Sequence, residues 1–162
     1  MTAAIPRNQP APADFLAEAN KLAKGFGWQF KDIEREHETV CVAKIAADPF
    51  FERFVWIFDS ERNMLRCLLI SAKAIAADKT AAALETCARV NEGLPFGCLE
   101  FAFQERVVVF RDSADLDWGP LAQVAEDTTS KTLNLGRRYA KAVTAVLEGS
   151  SPKQAVDLCA ED

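Results

Sequence analysis

Large apolar side chains alternate with smaller or polar ones at residues 98–103, within a segment, residues 91–118, that organises the rest of the chain. Leu99, Phe101 and Phe103 occupy every second position, which is typical of a strand with one buried face. Residues 107–110 follow as a β-branched, apolar second strand. Helical patterns flank this pair, so we expect a hairpin that belongs to a sheet with helices laid on it.

Two further runs are apolar on both faces. In residues 50–58, Phe54, Trp56 and Phe58 share one face while valine and isoleucine share the other, and residues 64–70 repeat the pattern. A half-exposed strand would instead carry polar residues on its outer face. Either helices cover both faces of these strands, or one face is buried against a second subunit. Because the pattern supplies only about four helices, we favour the second subunit.

Periodicity and turn signals predict the elements of the first half of the chain. A helix is expected from Asp14, as its N-cap, to residue 25. A strand is expected at residues 28–33, and residues 39–45 are expected to form either a second short strand or a continuation of the first past a bend near His37. A second helix is expected from Asp78, as its N-cap, to about residue 91.

The second half of the chain is predicted in the same way. Residues 104–105 lack the glycine or asparagine of a tight hairpin turn, so the loop there should be longer than two residues. Residues 111–118 are expected to form an acidic loop before a long helix at residues 119–149, which Gly136 could weaken or kink. Ser151-Pro-Lys-Gln154 reads as a capping box that begins a last short helix.

These elements predict an α+β fold, with an antiparallel sheet of about five strands, helices packed on it, and the order α-βββ-α-ββ-α. Residues 1–12 contain three prolines and are expected to form a disordered leader. Residues 13–162 are expected to form a single domain, since this length suits one hydrophobic core.

Charge and cysteine usage narrow the classes of function. The net charge of −5 argues against nucleic-acid binding, which needs clustered lysine and arginine. No run has the length of a signal peptide or membrane span, so we expect a cytoplasmic protein without membrane contact. The five cysteines are odd in number and contain no Cys-x-x-Cys pair, which indicates reduced, mostly buried thiols rather than a disulfide framework or a zinc site. We expect no cofactor.

The candidate chemical motifs all have a simpler interpretation. His37 could be a metal ligand or an acid–base group, but it lacks partners at a suitable spacing, and a solvated residue at a strand bend is favoured. Asp112, Asp115 and Asp117 lack the central glycine and closing glutamate of an EF-hand loop, and Asp117 better suits the start of a helix. The glycine-bearing segment 93–97 follows a helix and enters a strand, which reverses the order of a phosphate-binding loop.

Positive charge gathers on the predicted long helix. Arg137 and Arg138, with Lys131 and Lys141, could bind an anion or an acidic partner. A solvated helix face explains these residues equally well.

The chain resembles the YbjN-type family of bacterial proteins, which are described as regulators of sensory transduction. The resembling segments are residues 91–97, 99–101, 107–111, 145–149 and 151–155. The resemblance implies a fold similar to that of type III secretion chaperones, often dimeric, and it implies no catalytic residues.

We therefore expect a non-enzymatic protein-binding module, a chaperone-like adaptor or regulator that captures another protein on an apolar sheet face and forms a homodimer. The residues expected to form the dimer or partner surface are Phe54, Trp56, Phe58, Leu65 and Leu69. The alternative is a small-molecule-binding sensory regulator with a pocket between sheet and helices. An enzyme is the least favoured hypothesis, because the sequence contains no site motif.

Overall fold

A computed structural model describes residues 10–34, 38–45 and 48–160 of the chain. The helices are α1 (Pro12–Gly25), α2 (Thr80–Gly93), α3 (Leu121–Leu147) and α4 (Pro152–Ala160). The strands are β1 (Gln29–Glu34), β2 (Glu38–Lys44), β3 (Phe51–Asp59), β4 (Met64–Ser71), β5 (Cys98–Ala102) and β6 (Val107–Asp115). Short 3₁₀ helices lie at Ala77–Lys79 and Leu116–Trp118.

The six strands form one sheet in the order β1-β2-β3-β4-β6-β5, and every neighbouring pair is antiparallel. The predicted α+β class is therefore confirmed. The strand count is six rather than about five, and the order is α-ββββ-α-ββ-αα, because the region before α2 holds four strands and α4 is a separate helix. None of the helices in the described ranges has the length and apolarity to cross a membrane.

Strand β6 is longer than predicted. The segment expected to be an acidic loop continues the strand as far as Asp115, opposite Met64. The reason is β4, whose eight residues offer a pairing edge along their whole length. Alternation also continues through the acidic segment, since Asp112 and Ala114 are buried while Ser113 and Asp115 are partly exposed. The polar composition of this segment therefore predicted a loop, although its side chains follow the two-residue period of a strand.

Helix α3 runs unbroken through Gly136, where the sequence predicted a weak point. A Cβ atom at this position would lie 2.6 Å from Leu69 Cδ2 and 3.3 Å from Phe110 Cβ. The missing side chain therefore allows the helix backbone to approach β4 and β6 closely. The glycine serves helix–sheet packing rather than a kink.

The predicted helix ends are partly confirmed. The capping box holds, because Ser151 Oγ accepts from Gln154 N at 3.4 Å and Gln154 Oε1 accepts from Ser151 N at 3.3 Å. Asp14 is not an N-cap but lies in the first turn of α1, which Pro12 begins. Asp78 lies within a 3₁₀ turn ahead of α2 and is not its N-cap either.

The β5–β6 loop is confirmed as longer than two residues. It spans residues 103–106, and Arg106 adopts the left-handed conformation with φ of 59°. Two other expectations lie outside the described residues: His37, and the leader up to residue 9.

All four helices contribute to one core on a single side of the sheet. α1, α2 and α3 contact the strands directly, while α4 packs on α2 and α3 as an outer layer. The core includes Phe15 of α1, Val90 of α2, Val143 of α3 and Cys159 of α4. The sheet therefore has a face covered by helices, and a second face whose surroundings decide what the molecule can bind.

Candidate functional site on the open face of the sheet

The strand register separates the two faces. On β3, Phe54, Trp56 and Phe58 point to the helices, and cross-strand pairing places Leu69 and Leu65 beside Phe54 and Phe58 on the same face. We call this the covered face. The intervening positions form the opposite face, which we call the open face. Within the described part of the chain, none of its apolar residues joins the core cluster that the helices cover. Val40 and Val55 are nevertheless buried.

The five residues predicted to form a dimer or partner surface lie on the covered face. Phe54, Trp56, Phe58, Leu65 and Leu69 each have no exposed area. Trp56 Nε1 donates to Thr129 Oγ1 of α3 at 2.8 Å, and Phe58 stacks on Phe15 of α1. The structure thus corrects this assignment: the residues do share a face, but helices already cover it.

An apolar stripe lies across the middle of the open face. Val42, Val55 and Leu68 are directly opposite one another on β2, β3 and β4. The adjoining rows add more apolar side chains, so that the stripe consists of Val40, Val42, Val55, Ile57, Leu68, Ile70 and Val109. Most members of the stripe are partly exposed. Aliphatic surface in a contiguous group is typical of an interaction site.

Ion pairs flank the stripe on the open face. Arg111 of β6 donates to Glu100 of β5 through Nη2 at 2.6 Å and Nε at 3.0 Å, and its Nη2 lies 3.4 Å from Cys98 Sγ. These bonds from Arg111 outweigh the effect of burial and lower the pKa of Glu100. Arg66 of β4 reaches across β3 to pair with Glu38 of β2. Because these charged side chains are already paired within the chain, burial of the open face against a partner would leave none of them unpaired.

Both edges of the sheet carry features that discourage further strand pairing. At β5, the Asn91 side chain forms two hydrogen bonds with the backbone of Leu99. Leu99 N donates to Asn91 Oδ1 at 2.7 Å, and Asn91 Nδ2 donates to Leu99 O at 3.0 Å. At β1, the charged residues Lys31 and Asp32 are exposed. Asparagine caps and edge charges both oppose edge-to-edge association. The open face, rather than an edge, is the available surface.

The described residues bring together no obvious catalytic centre. They contain no group of three or more His, Cys, Asp or Glu residues that could hold a metal ion. The three aspartates of the acidic segment have separate partners: Asp112 accepts from Ser113 N, Asp115 accepts from Asp117 N, and Asp117 accepts from Asn63. They do not converge on a common point.

The cysteines lie in environments that favour the thiol. All five are free, as predicted, and all but Cys98 are buried. Burial, with a smaller contribution from Asp32, raises the pKa of Cys41 to about 12. Burial also raises the pKa of Cys87 to about 11 and that of Cys98 above its ordinary value. Such thiols are poor nucleophiles at neutral pH.

A groove lies at the end of the sheet where β3 begins and β4 ends. It consists of two adjoining hollows of about 430 and 660 Å³, which share Pro49, Phe50 and Thr144. One wall is the segment 72–76 after β4, and the other is the C-terminal half of α3. We call it the end groove; the basic residues on α3 were its only signal in the sequence.

Comparisons with protein-family models, with curated proteins and with solved structures each found no match to this chain.

Proposed function

We propose that this chain is a non-enzymatic protein-binding module, a chaperone-like adaptor or regulator, that acts through the open face of its sheet. The observation that carries the proposal is the apolar stripe on a face to which no described helix contributes. Burial of apolar area is the main favourable term in protein association. The resemblance to the YbjN-type family supports the same function, since the chaperone fold it implies binds other proteins.

The first partner that we propose for this face is a second copy of the chain, because the charges of the face are self-complementary. Lys44 and Arg53 lie side by side in one row at the start of β3, whereas Glu38 and Asp59, which already pair with Arg66 and Arg62 of their own chain, lie side by side at its end. We place a two-fold axis midway between the basic and acidic rows, in the plane between the two copies and perpendicular to their strands. This axis brings the basic row of each copy over the acidic row of the other. It also brings the apolar stripe onto itself.

The size of the face suits such a dimer. Six strands about 4.8 Å apart, each about seven residues long at about 3.4 Å per residue, give a plan area of roughly 700 Å². The accessible area of a corrugated face exceeds its plan area. Stable interfaces bury about 800 Å² on each partner, so the face is large enough for a specific interface.

Leu68→Glu tests the dimer. It places a charge in the middle of the stripe, and we expect sedimentation equilibrium to show a dimer for the wild-type chain and a monomer for the variant. Leu158→Glu is the matched control, because Leu158 is exposed on α4, in the outer helical layer. It should leave the dimer intact. A monomeric wild-type chain at high micromolar concentration, or a dimeric Leu68→Glu chain with native circular dichroism, would contradict the proposed dimer.

A charge exchange tests the two-fold arrangement separately. Lys44→Glu should weaken the dimer, because it places like charges opposite each other at Glu38 of the second copy. The double variant Lys44→Glu/Glu38→Lys should recover much of the lost affinity. If the double variant dimerises no better than Lys44→Glu alone, the copies meet in another orientation.

Capture of other proteins tests the adaptor function. Wild-type chain and Leu68→Glu, immobilised at equal density, should retain different sets of proteins from a bacterial lysate, and a protein lost with Leu68→Glu but kept with Leu158→Glu binds the open face. Direct titration of that purified protein should then give a defined stoichiometry. Identical retention by all three chains would remove the open face from the adaptor hypothesis.

A further inference from the structure

The end groove is a preformed hollow whose walls are tied to the rest of the fold. Ile75 in the segment after β4 is fixed on both sides, since its N–H donates to Arg106 O at 2.7 Å and its carbonyl accepts from Arg106 Nε at 2.9 Å. Phe50 O accepts from Ala72 N at 2.8 Å across the groove floor. The volume of the two hollows lies within the usual range of small-molecule sites.

The groove combines an apolar floor with a positioned cation. Asp48 Oδ1 accepts from the N–H groups of Phe50 and Phe51, while its Oδ2 accepts from Arg137 Nε at 2.9 Å. Burial opposes the charge on Asp48, but these hydrogen bonds outweigh it and lower the pKa of the carboxyl. The ionised Asp48 thus holds the guanidinium of Arg137 at the mouth of the groove.

Arg137 retains unused donors. Only its Nε is committed to Asp48, and its Nη groups form no hydrogen bond with the described residues. A guanidinium with two free Nη donors matches the two oxygens of a carboxylate or phosphate.

The charge of the groove departs from that of the whole chain. Its lining includes four basic and three acidic residues in a protein of net charge −5. These residues are Lys73, Lys79, Arg137, Lys141, Asp48, Asp78 and Glu148. Asp48 and Arg137 offset each other's charge, so the attraction for an anion is local and comes from the Nη groups of Arg137 rather than from the net charge of the lining. The floor and sides that such a ligand would meet are apolar, from Phe50, Pro49, Ile75 and Leu147.

We propose that the end groove binds a small amphipathic anion, in which an apolar body lies on Phe50 and Leu147 and a single carboxylate or phosphate head bonds Arg137. This site goes beyond the proposed protein-binding function and lies at the sheet end rather than on the open face. It assigns a role to Arg137 of the basic cluster on α3.

The test uses ligands that distinguish the contribution of the charged head from that of the apolar body. Octanoate and octyl phosphate carry both parts, octan-1-ol lacks the charge, and acetate lacks the apolar body. Titration of the ¹⁵N-labelled full chain should give saturable amide shifts around residues 48–50, 137 and 144 with octanoate or octyl phosphate. The better of these two identifies the head group. We expect octan-1-ol and acetate to bind at least tenfold more weakly.

Two variants examine the groove itself. Arg137→Gln should weaken binding of the better anion about tenfold, as expected for one charge-assisted contact. Arg89→Gln is the matched control, because Arg89 is a similarly exposed helical arginine paired with Glu85 away from the groove. It should bind as wild type. Thr144→Trp should block the groove sterically, since Thr144 is exposed and lines both hollows.

Three results would overturn the proposal. One is the absence of saturable shifts with both anions. Another is equal binding of octan-1-ol and octanoate. The third is undiminished binding by Arg137→Gln or Thr144→Trp chains whose amide spectra remain dispersed.

Discussion

The two faces of the sheet are both apolar, but they use different kinds of side chain. The covered face carries large aromatic residues at Phe54, Trp56 and Phe58, whereas the open face has Val55 and Ile57 at the intervening positions. Large rings are needed where a sheet must fill the space beneath helices about 10 Å away. Small β-branched side chains give a flatter surface that a second flat surface can meet. On β3, side-chain size more than hydrophobicity distinguishes the helix-covered face from the open face.

The largest expected effect comes from replacing adjacent residues, one on each face of the sheet, by alanine. Trp56→Ala should lower the free energy of unfolding by about 3–5 kcal/mol, because it leaves a cavity and removes the partner of Thr129. Val55→Ala, one residue away on the open face, should cost about 1 kcal/mol. Urea unfolding at a protein concentration that keeps the chain monomeric measures both. A loss for Val55→Ala as large as that for Trp56→Ala would contradict the larger packing contribution expected from the covered face.

A smaller effect is expected where helix α3 meets the covered face. Gly136→Ala places a methyl group against Leu69 and Phe110, and overpacking should destabilise the fold by about 1–3 kcal/mol. Gly93→Ala is the control, since Gly93 also lies in a helix but has no neighbouring atom within 4 Å of the position that a Cβ would take. It should be neutral or stabilising by up to about 1 kcal/mol. Thermal unfolding of the two variants would show whether the close approach of α3 is required.

The smallest effect is expected from the ion pair on the open face. The lowered pKa of Glu100 means that its pairing with Arg111 stabilises the fold above the ordinary carboxyl pKa, and that this contribution is lost as the pH falls through the lowered value. Glu100→Gln should therefore cost less than about 1 kcal/mol at pH 7, since the pair is partly exposed. The difference from wild type should shrink as unfolding is measured at progressively more acidic pH. A constant difference would point to packing rather than charge.

Much of the fold could be predicted from local patterns. Alternating or two-faced apolar runs indicated a strand near each of the six observed positions, although the predicted sheet had about five strands, and the Ser151–Gln154 capping box located α4. The prediction was wrong where composition and periodicity disagreed. The acidic residues before Trp118 indicated a loop, but pairing with β4 extends β6 through them as far as Asp115.

The candidate site could be predicted only in part. The two-faced pattern of residues 50–58 correctly placed Phe54, Trp56 and Phe58 together, and it raised the question of what covers the second face. Which face the helices cover depends on tertiary packing, such as the bond from Trp56 to Thr129, which joins residues 73 positions apart. Local periodicity contains no information on that choice. The end groove depends likewise on Asp48 meeting Arg137, 89 positions further along the chain.

The asparagine bonded to the backbone of Leu99 has a consequence for how copies of this chain can assemble. A sheet with a free edge can add strands without limit, which produces fibres whose length depends on concentration. Asn91 takes up the donor and acceptor of Leu99 on the outer side of β5, so that growth in this direction is blocked at its first step. In the proposed dimer, association through the open face would join two copies about a two-fold axis and end there. Together with the charged residues exposed on β1, this amide side chain would favour an assembly of fixed size over open-ended polymerisation.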